Sequence, residues 1–408
     1  MSNRNPLADR RVALGVTGSI AAYKAVTIAS SLTQQGALVD VVMTPEAAQL
    51  VQPLSFQAIT HRPVAIDMFH LLAETEIGHV SIGRAADAFV VAPATANTIA
   101  KLALGLADDM VTTTALATRA PSLLAPAMET GMWQHPATQE HIATLRQRGW
   151  HIIEPEAGHL ASGATGEGRL APPELIVDTL KSVLAQDGDL AGWRVVVTAG
   201  GTREPIDPVR YISNRSSGKM GYALAEAARD RGAAVTLTST TGAPVPAGVA
   251  LVAVERAAEM REAVVRAIAE ADVLVMAAAV ADYQPVKVAP NKIKKREGLP
   301  AIDLESTPDI LAEVSAARAS GSGLMVVGFA AETNDLLANA RAKLAQKRLD
   351  LLVANDVTLE GSGFGTDTNK VTILDRHGGE QDLPLLSKLE VAHALWDRVL
   401  ELRGKPAR

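Results

Sequence analysis

The sequence has 408 residues, a formal net charge of −6, 48% hydrophobic residues and only 3% aromatic ones. That length predicts two domains, and apolar residues spread evenly along the chain exclude disorder. There is no cysteine, which excludes disulfides, thiolate metal sites and a cysteine nucleophile, and the lack of long basic runs argues against nucleic acid or anionic membrane as a partner.

The first residues are polar and run straight into a strand, and no apolar stretch approaches the roughly 18 residues of a membrane helix. A soluble cytoplasmic protein is expected. RRVALGVTGSI is a β-branched run ending in a Gly-rich turn. A helix-forming stretch follows up to Gly36, and then a second apolar run, LVDVVMT. Strand, helix and strand at this spacing read as a right-handed βαβ unit of a parallel sheet. AFVVAPA, SLLAPAM and HIIEP continue the strands. The helix PPELIVDTLKSVLAQ and the polar turn DGDLAG then place a boundary near residues 186–192. WRVVVTAGGTR restarts the same grammar, with AAVTLTS, LVAV, VLVMAAAV, LMVVGFAAE and LDLLVAND as its strands. Two doubly wound α/β domains are predicted, over 1–186 and 190–404. Residues 158–173, 202–221 and 284–300 are too polar or too rich in Gly and Pro for a core. They read as surface loops, of a length that in compact domains usually carries function.

Gly15, Gly18 and Ser19 lie between the first strand and its helix, where unpaired amides and the helix dipole suit a phosphate. A tight turn with no ligand fits the same residues. A dinucleotide site wants an acid at the end of the second strand. Asp40 falls inside that strand, which ends at Thr44, and this favours a mononucleotide such as FMN over NAD. In the second half, Asn214, Ser216, Ser217 and Lys219 sit in a turn opening a helix, and suit either phosphates or an ordinary capped start. Asp282 ends a buried strand at the sheet edge where α/β ligands bind, and Lys292, Lys294 and Lys295 follow on a loop.

The stretch GHVSIGRAADAFVVAPATANTIAKLALGLADDM, followed by APAMETGMWQHPAT, resembles the homo-oligomeric flavin-containing cysteine decarboxylases. The resemblance implies a flavodoxin-like domain in which Gly18, Ser19 and Ile20, with Thr44, hold the FMN phosphate. Pro93, Ala94, Thr95 and Asn97 contact the flavin, and His79 is the catalytic base. It also implies the chemistry. A carboxylate beside C–S has no electron sink, so the thiol-bearing carbon is oxidised first and CO2 leaves the resulting thioaldehyde. Two positions depart from the family pattern: Glu129 replaces an asparagine, and Ser162 replaces the cysteine of a flap. Glu129 must be protonated, paired with a cation such as Arg169, or aimed at the pantetheine amide. A protonated Glu129 is expected to supply the missing proton, with Ser162 able to relay one from water.

GGTREPIDPVRYISNRSSGKMG, TPDIL, VGFAAET and ANDV resemble the phosphopantothenate–cysteine ligase domain, from about residue 190 to 400. The resemblance implies activation of 4'-phosphopantothenate by CTP through an acyl-cytidylate, with Mg2+ on the phosphates and cysteine as the acceptor. It implies that Met276, Ala277, Ala278 and Asp282 line the nucleotide and that Lys292 closes over the triphosphate. Pro308, Asp309, Ile310, Leu311, Phe329, Lys343 and Lys347 complete the pocket, and Asn214 holds the acyl-cytidylate. A bifunctional homo-oligomeric enzyme is therefore expected. The alternatives are an active ligase carrying a flavin-binding but decarboxylation-defective scaffold, and a plain NAD oxidoreductase.

Overall fold

The computed structural model describes residues 4–68, 78–294, 301–318, 323–332, 336–356, 359, 361–363 and 365–404. The chain divides into two compact units, Asn5–Leu184 and Ala185–Arg408, the latter taking in Met1–Arg4.

The first unit is built on β1 (Arg11–Val16), β2 (Leu38–Met43), β3 (Val64–Ala65), β4 (Ala88–Ala94), β5 (Ser122–Pro126) and β6 (His151–Ile152). They form one parallel sheet in the order 3-2-1-4-5-6. All seven residues of β4 are buried, which explains its unbroken apolar run. The helices are α1 (Ala22–Gln34), α2 (Pro45–Leu50), α3 (Pro53–Thr60), α4 (Gly78–Ala85), α5 (Ala96–Leu104), α6 (Met110–Ala117), α7 (Thr130–Trp133), α8 (Pro136–Gln147) and α9 (Pro173–Leu184). Helix α1 buries Ala22, Ala25, Ile28, Ala29 and Leu32, the three-and-four spacing of one helical face. The winding direction reverses between β1 and β4, and this opens a crevice at their C-terminal ends. Asp40 lies within β2 and pairs with Arg62 at 2.7 Å, so it is committed to the fold.

Residues 158–173 are not a loop. They contribute to an antiparallel hairpin of β7 (Glu156–His159) and β8 (Thr165–Arg169), and then enter α9. The glycines that suggested a loop have a packing reason. A Cβ on Gly166 would run into the Thr130 side chain, and one on Gly168 (φ +146°) would run into the Met128 carbonyl. Glycine here lets one backbone lie against another.

The second unit has β9 (Arg194–Ala199), β10 (Arg203–Pro205), β11 (Tyr211–Ser213), β12 (Ala234–Ser239), β13 (Ala250–Ala253), β14 (Val273–Met276), β15 (Tyr283–Pro285) and β16 (Leu304–Ser306). It continues with β17 (Met325–Glu332), β18 (Leu351–Asp356), β19 (Thr368–Asn369), β20 (Val371–Asp375), β21 (Glu380–Asp382) and β22 (Leu386–Ser387). The main sheet runs 13-12-9-14-17-18-20-21, parallel except for β20 and β21, with its reversal between β9 and β14. Its helices are α10 (Lys219–Arg229), α11 (Ala257–Ala267), α12 (Ile310–Ala317), α13 (Leu336–Gln346) and α14 (Lys388–Leu402).

The stretch 202–221 also departs from the loop expectation, forming the β10–β11 ribbon and the first turn of α10. Of 284–300, the start pairs β15 with β16, while 295–300, including Lys295, lie outside the described residues. The expected linker at 186–192 is part of the second unit. Gly188 packs on the Arg231 backbone, and Asp189 grips the Arg231 guanidinium with both oxygens, at 2.8 and 2.6 Å. Arg231 is 1% exposed and also meets Asp397 at 2.9 Å and the His393 carbonyl at 3.1 Å.

Candidate functional sites at the two sheet reversals

In the first unit the reversal brings three backbone segments together. Thr17 is their hub: its Oγ1 donates to the Pro93 carbonyl at 2.7 Å and accepts from the Thr95 amide at 3.0 Å. Ser19 Oγ donates to the Ala127 carbonyl at 3.3 Å, so the Gly18–Ser19 turn, the Pro93–Thr95 segment and the Ala127–Glu129 segment meet. Ile20, 65% exposed, and Asn97, also exposed, stand at the helix openings beside the crevice. The Ala92–Pro93 peptide is cis. Ala94 ends β4, and Thr95 caps α5 by accepting from Thr98 N. Thr44 is 3% exposed and its hydroxyl caps α2 through Ala47 N, so it shapes the crevice from below. Helix α1 opens on Ala21, which gives no side-chain cap. The residues fit a flavin mononucleotide: a glycine-containing turn at a strand end, a hydroxyl within it and an apolar strand-end floor.

His79 sits in the first turn of α4, and its Nδ1 is buried without a hydrogen-bond partner among the described residues. Its neighbour Gly78 lines a cavity of about 230 Å³ with Ala65, Met68 and Met110. A buried ring nitrogen left unpaired costs free energy, so it points to a ligand. Thr130 Oγ1 is likewise buried and unpaired among the described residues. Glu129 is not paired with Arg169. Its Oε2 accepts from Gly131 N at 2.5 Å as the cap of α7, and Arg169 instead packs over Gly158. Arg169 is drawn there because β7 and β8 place it opposite Glu156, one residue past the bulge. Ser162 is exposed at the hairpin tip, its Oγ accepting from Ala164 N at 3.4 Å, and it is not gathered with the crevice residues.

In the second unit a cavity of about 960 Å³ lies at the reversal between β9 and β14. Asn214, Met276, Ala277, Ala278 and Asp282 line it, as do Pro308, Asp309, Ile310, Leu311, Phe329, Lys343 and Lys347. Local structure explains the convergence. Thr198 Oγ1 accepts from Ala278 N at 3.1 Å, which ties the ends of β9 and β14. Asn214 Nδ2 donates to the Ala279 and Val280 carbonyls at 3.3 and 3.1 Å, holding the entry to α10 against the end of β14. A Cβ on Gly221 would stand 2.5 Å from that of Ala199, so only glycine lets α10 aim its first turn into the cavity.

The carboxylate of Asp282 is exposed and has no hydrogen-bond or ion-pair partner among the described residues. Lys343 Nζ donates to the Phe329 carbonyl at 3.1 Å. Lys347 and Asp309 form an ion pair. Burial pushes the Asp309 carboxyl up, but the Lys347 hydrogen bond, the Ala312 amide and the charges of Lys347 and Lys343 outweigh it and leave it below the usual carboxylate range. Ile310 is 3% exposed and belongs as much to the core as to the wall. Lys292 is exposed and is not among the lining residues. Its neighbour Ile293 is held by both backbone groups, through Asp207 at 3.2 Å and Arg210 at 2.8 Å. The sequence reading missed Lys388, Asn355, Gly363 and Asn369 in the cavity lining, and Thr17 in the first unit. Among the described residues no cluster of three or more carboxylates or imidazoles could hold a metal. No helix there is long and apolar enough to cross a membrane.

The two sites define a class, a flavoprotein unit joined to a ligand-activating α/β unit. The flavoprotein family matches residues 1–185, and the DNA/pantothenate metabolism flavoprotein C-terminal domain matches 190–402. The coenzyme A biosynthesis bifunctional protein CoaBC of Bacillus subtilis (strain 168) is 47% identical, over 97% of this chain and 98% of the relative. That of Mycobacterium tuberculosis (strain ATCC 25618 / H37Rv) is 47% identical, over 96% of each chain. A solved C-terminal domain of a CoaBC protein covers 52% of this chain and 96% of its own length, at 39% identity and a TM-score of 0.45. The chain belongs to the CoaBC family of bifunctional coenzyme A biosynthesis enzymes, which join a flavoprotein decarboxylase domain to a ligase domain.

Proposed function

We propose that residues 190–404 use CTP to ligate cysteine to 4'-phosphopantothenate and that residues 1–186 then decarboxylate the product with FMN, in a cytoplasmic homo-oligomer. The observation that carries the reading is the 960 Å³ cavity at the second reversal, large enough for a nucleotide and a second reactant. Amides at the start of α10 receive anionic oxygens, while Lys343 and Lys347 bring positive charge to the opposite wall. The free carboxylate of Asp282 accepts hydrogen bonds from the nucleoside end. Asn214 holds the activated acyl group, and Lys292 closes over the triphosphate from its loop. Magnesium arrives with the nucleotide, bound to its phosphates.

In the first unit, bound FMN supplies a two-electron acceptor and donor for the carbon beside sulfur. The Gly18–Ile20 turn, with the Ser19 hydroxyl, holds its phosphate, and the Pro93–Thr95 segment with Asn97 faces the ring. His79 takes the thiol proton, a task suited to imidazole near neutral pH. Glu129 returns a proton to carbon, and the β7–β8 hairpin keeps water out. The first test supplies CTP, cysteine and 4'-phosphopantothenate and follows pyrophosphate. The second supplies 4'-phosphopantothenoylcysteine and follows CO2. His79→Asn should keep its flavin absorbance and lose CO2 release, and normal CO2 release from that variant removes His79 from the chemistry. A parent that binds flavin yet releases no CO2 favours the scaffold reading.

A further inference from the structure

Lys388 is the first residue of α14, where a cation opposes the helix dipole. The capping box of Ser387 and Glu390 secures this helix start without it. The side chain nevertheless turns inward and is 7% exposed. Its ammonium donates to the Gly363 carbonyl at 3.3 Å, the Thr366 carbonyl, Thr366 Oγ1 at 3.3 Å and the Thr368 carbonyl at 3.2 Å. Burial, and then the nearby charge of Lys219, push its pKa down, while Asp367 pushes it up. Lys219 grips the same region from outside, through the Gly365 carbonyl at 3.0 Å and Asp367 at 2.6 Å.

Carbonyls drawn around one ammonium resemble a monovalent-cation site whose cation is tethered to the chain. The described residues of 361–369 border the ligase cavity, which Gly363, Asn369 and Lys388 line together with Asn355. Their shape there is fixed by Gly363 N donating to Asn369 Oδ1 at 3.0 Å and by Ser362 Oγ donating to Asn355 Oδ1 at 2.8 Å. We propose that Lys388 is a positioning residue for ligation, its caged ammonium holding the carbonyls of Gly363, Thr366 and Thr368 so that Asn369 and Asn355 keep their places in the cavity lining against the bound reactants. The proposal rests on the ligase reading of the cavity.

Removing the ammonium leaves like-oriented carbonyl dipoles facing a void of cation size, so a free cation of that size should restore the wall. In the full-length protein, Lys388→Ala should lower kcat/KM for ligation on the order of a hundredfold, the usual cost of displaced reacting groups. Ammonium or potassium chloride should recover much of the loss, and tetramethylammonium chloride at equal ionic strength should not. CO2 release from supplied 4'-phosphopantothenoylcysteine should stay at the parent rate in every salt. Lys388→Met, which fills the void without charge, should be impaired and deaf to ammonium. Activity at the parent level in Lys388→Met overturns the proposal. So does a folded Lys388→Ala protein whose lost activity no small cation restores. Should Lys388→Ala fail to fold without ammonium, a melting temperature that rises with ammonium in the variant and not in the parent supports the cage, and a flat response rejects it. Ligation by the parent is the control: without it the ligase reading falls, and with it only the role of Lys388 is at stake.

Discussion

Gly168→Ala should separate the two activities by one methyl group. Gly168 has φ +146°, and a Cβ built on it would stand 2.1 Å from the Met128 carbonyl oxygen. The neighbour is backbone, so no rotamer change relieves the clash. A non-glycine residue in this region of backbone space costs on the order of 1–3 kcal/mol. The hairpin must also give up the hydrogen bond from Met128 N to the Gly168 carbonyl, 2.9 Å long, worth about 1 kcal/mol. The sum, about 2–4 kcal/mol, falls on a two-stranded element at the edge of its unit rather than on the core. The expected result is a protein that still folds but whose docking equilibrium constant for the hairpin is roughly 30- to 900-fold lower than in the parent. Decarboxylation of supplied 4'-phosphopantothenoylcysteine should fall, by up to that factor, and cysteine ligation, carried by the other unit, should be unchanged. CO2 release at the parent rate from Gly168→Ala would show that docking of β7 and β8 plays no part in the reaction.

Lys292→Ala should leave the melting temperature untouched, since the side chain is exposed, and should cut CTP-dependent ligation about a hundredfold by removing a charge from the triphosphate. An unaltered rate at both limiting and saturating CTP takes Lys292 out of the site. Asp207 predicts a pH dependence. Hydrogen bonds from Arg210 first, then from the Val209, Ile293 and Arg210 amides, hold its carboxyl far below the usual carboxylate range against burial. A depressed pKa means its stabilisation is present above the unfolded value, about 3.9, and is lost as pH falls from there toward the folded value. Asp207→Asn should therefore melt well below the parent at pH 6, with the gap closing below pH ~4. A gap that stays constant across that range contradicts the assignment.

Much of both sites was legible because their residues lie in short runs at strand ends and helix starts. Met276 to Asp282 and Pro308 to Leu311 each read as one motif, and the fold keeps each run on one wall. Lys388 was not legible. A lysine after Ser387 looks like a solvated helix start, and only the tertiary wrap of Gly363, Thr366 and Thr368 turns it inward. Thr17 was passed over for the glycines beside it, although its hydroxyl joins the two strand ends. The hairpin was misread because glycine signals both loops and close backbone approach, and the partners that decide between them, Met128 and Thr130, lie some 40 residues earlier in the chain. The pairing within the hairpin itself places Arg169 over Gly158, and Glu129 caps α7 through Gly131.

The Arg231 guanidinium sets where the second unit can be cut free. Both Asp189 oxygens hold this buried cation, and Gly188 fits against its backbone. A fragment begun at Leu190, where the family match begins, strands that charge on Asp397 alone among its carboxylates and uncovers the Arg231 main chain. Taking one carboxylate away from a buried cation is among the costlier changes a small unit can suffer. A fragment begun at Ala185 keeps both partners. For this chain the stub that looks like connecting thread is the keel of the domain that follows it.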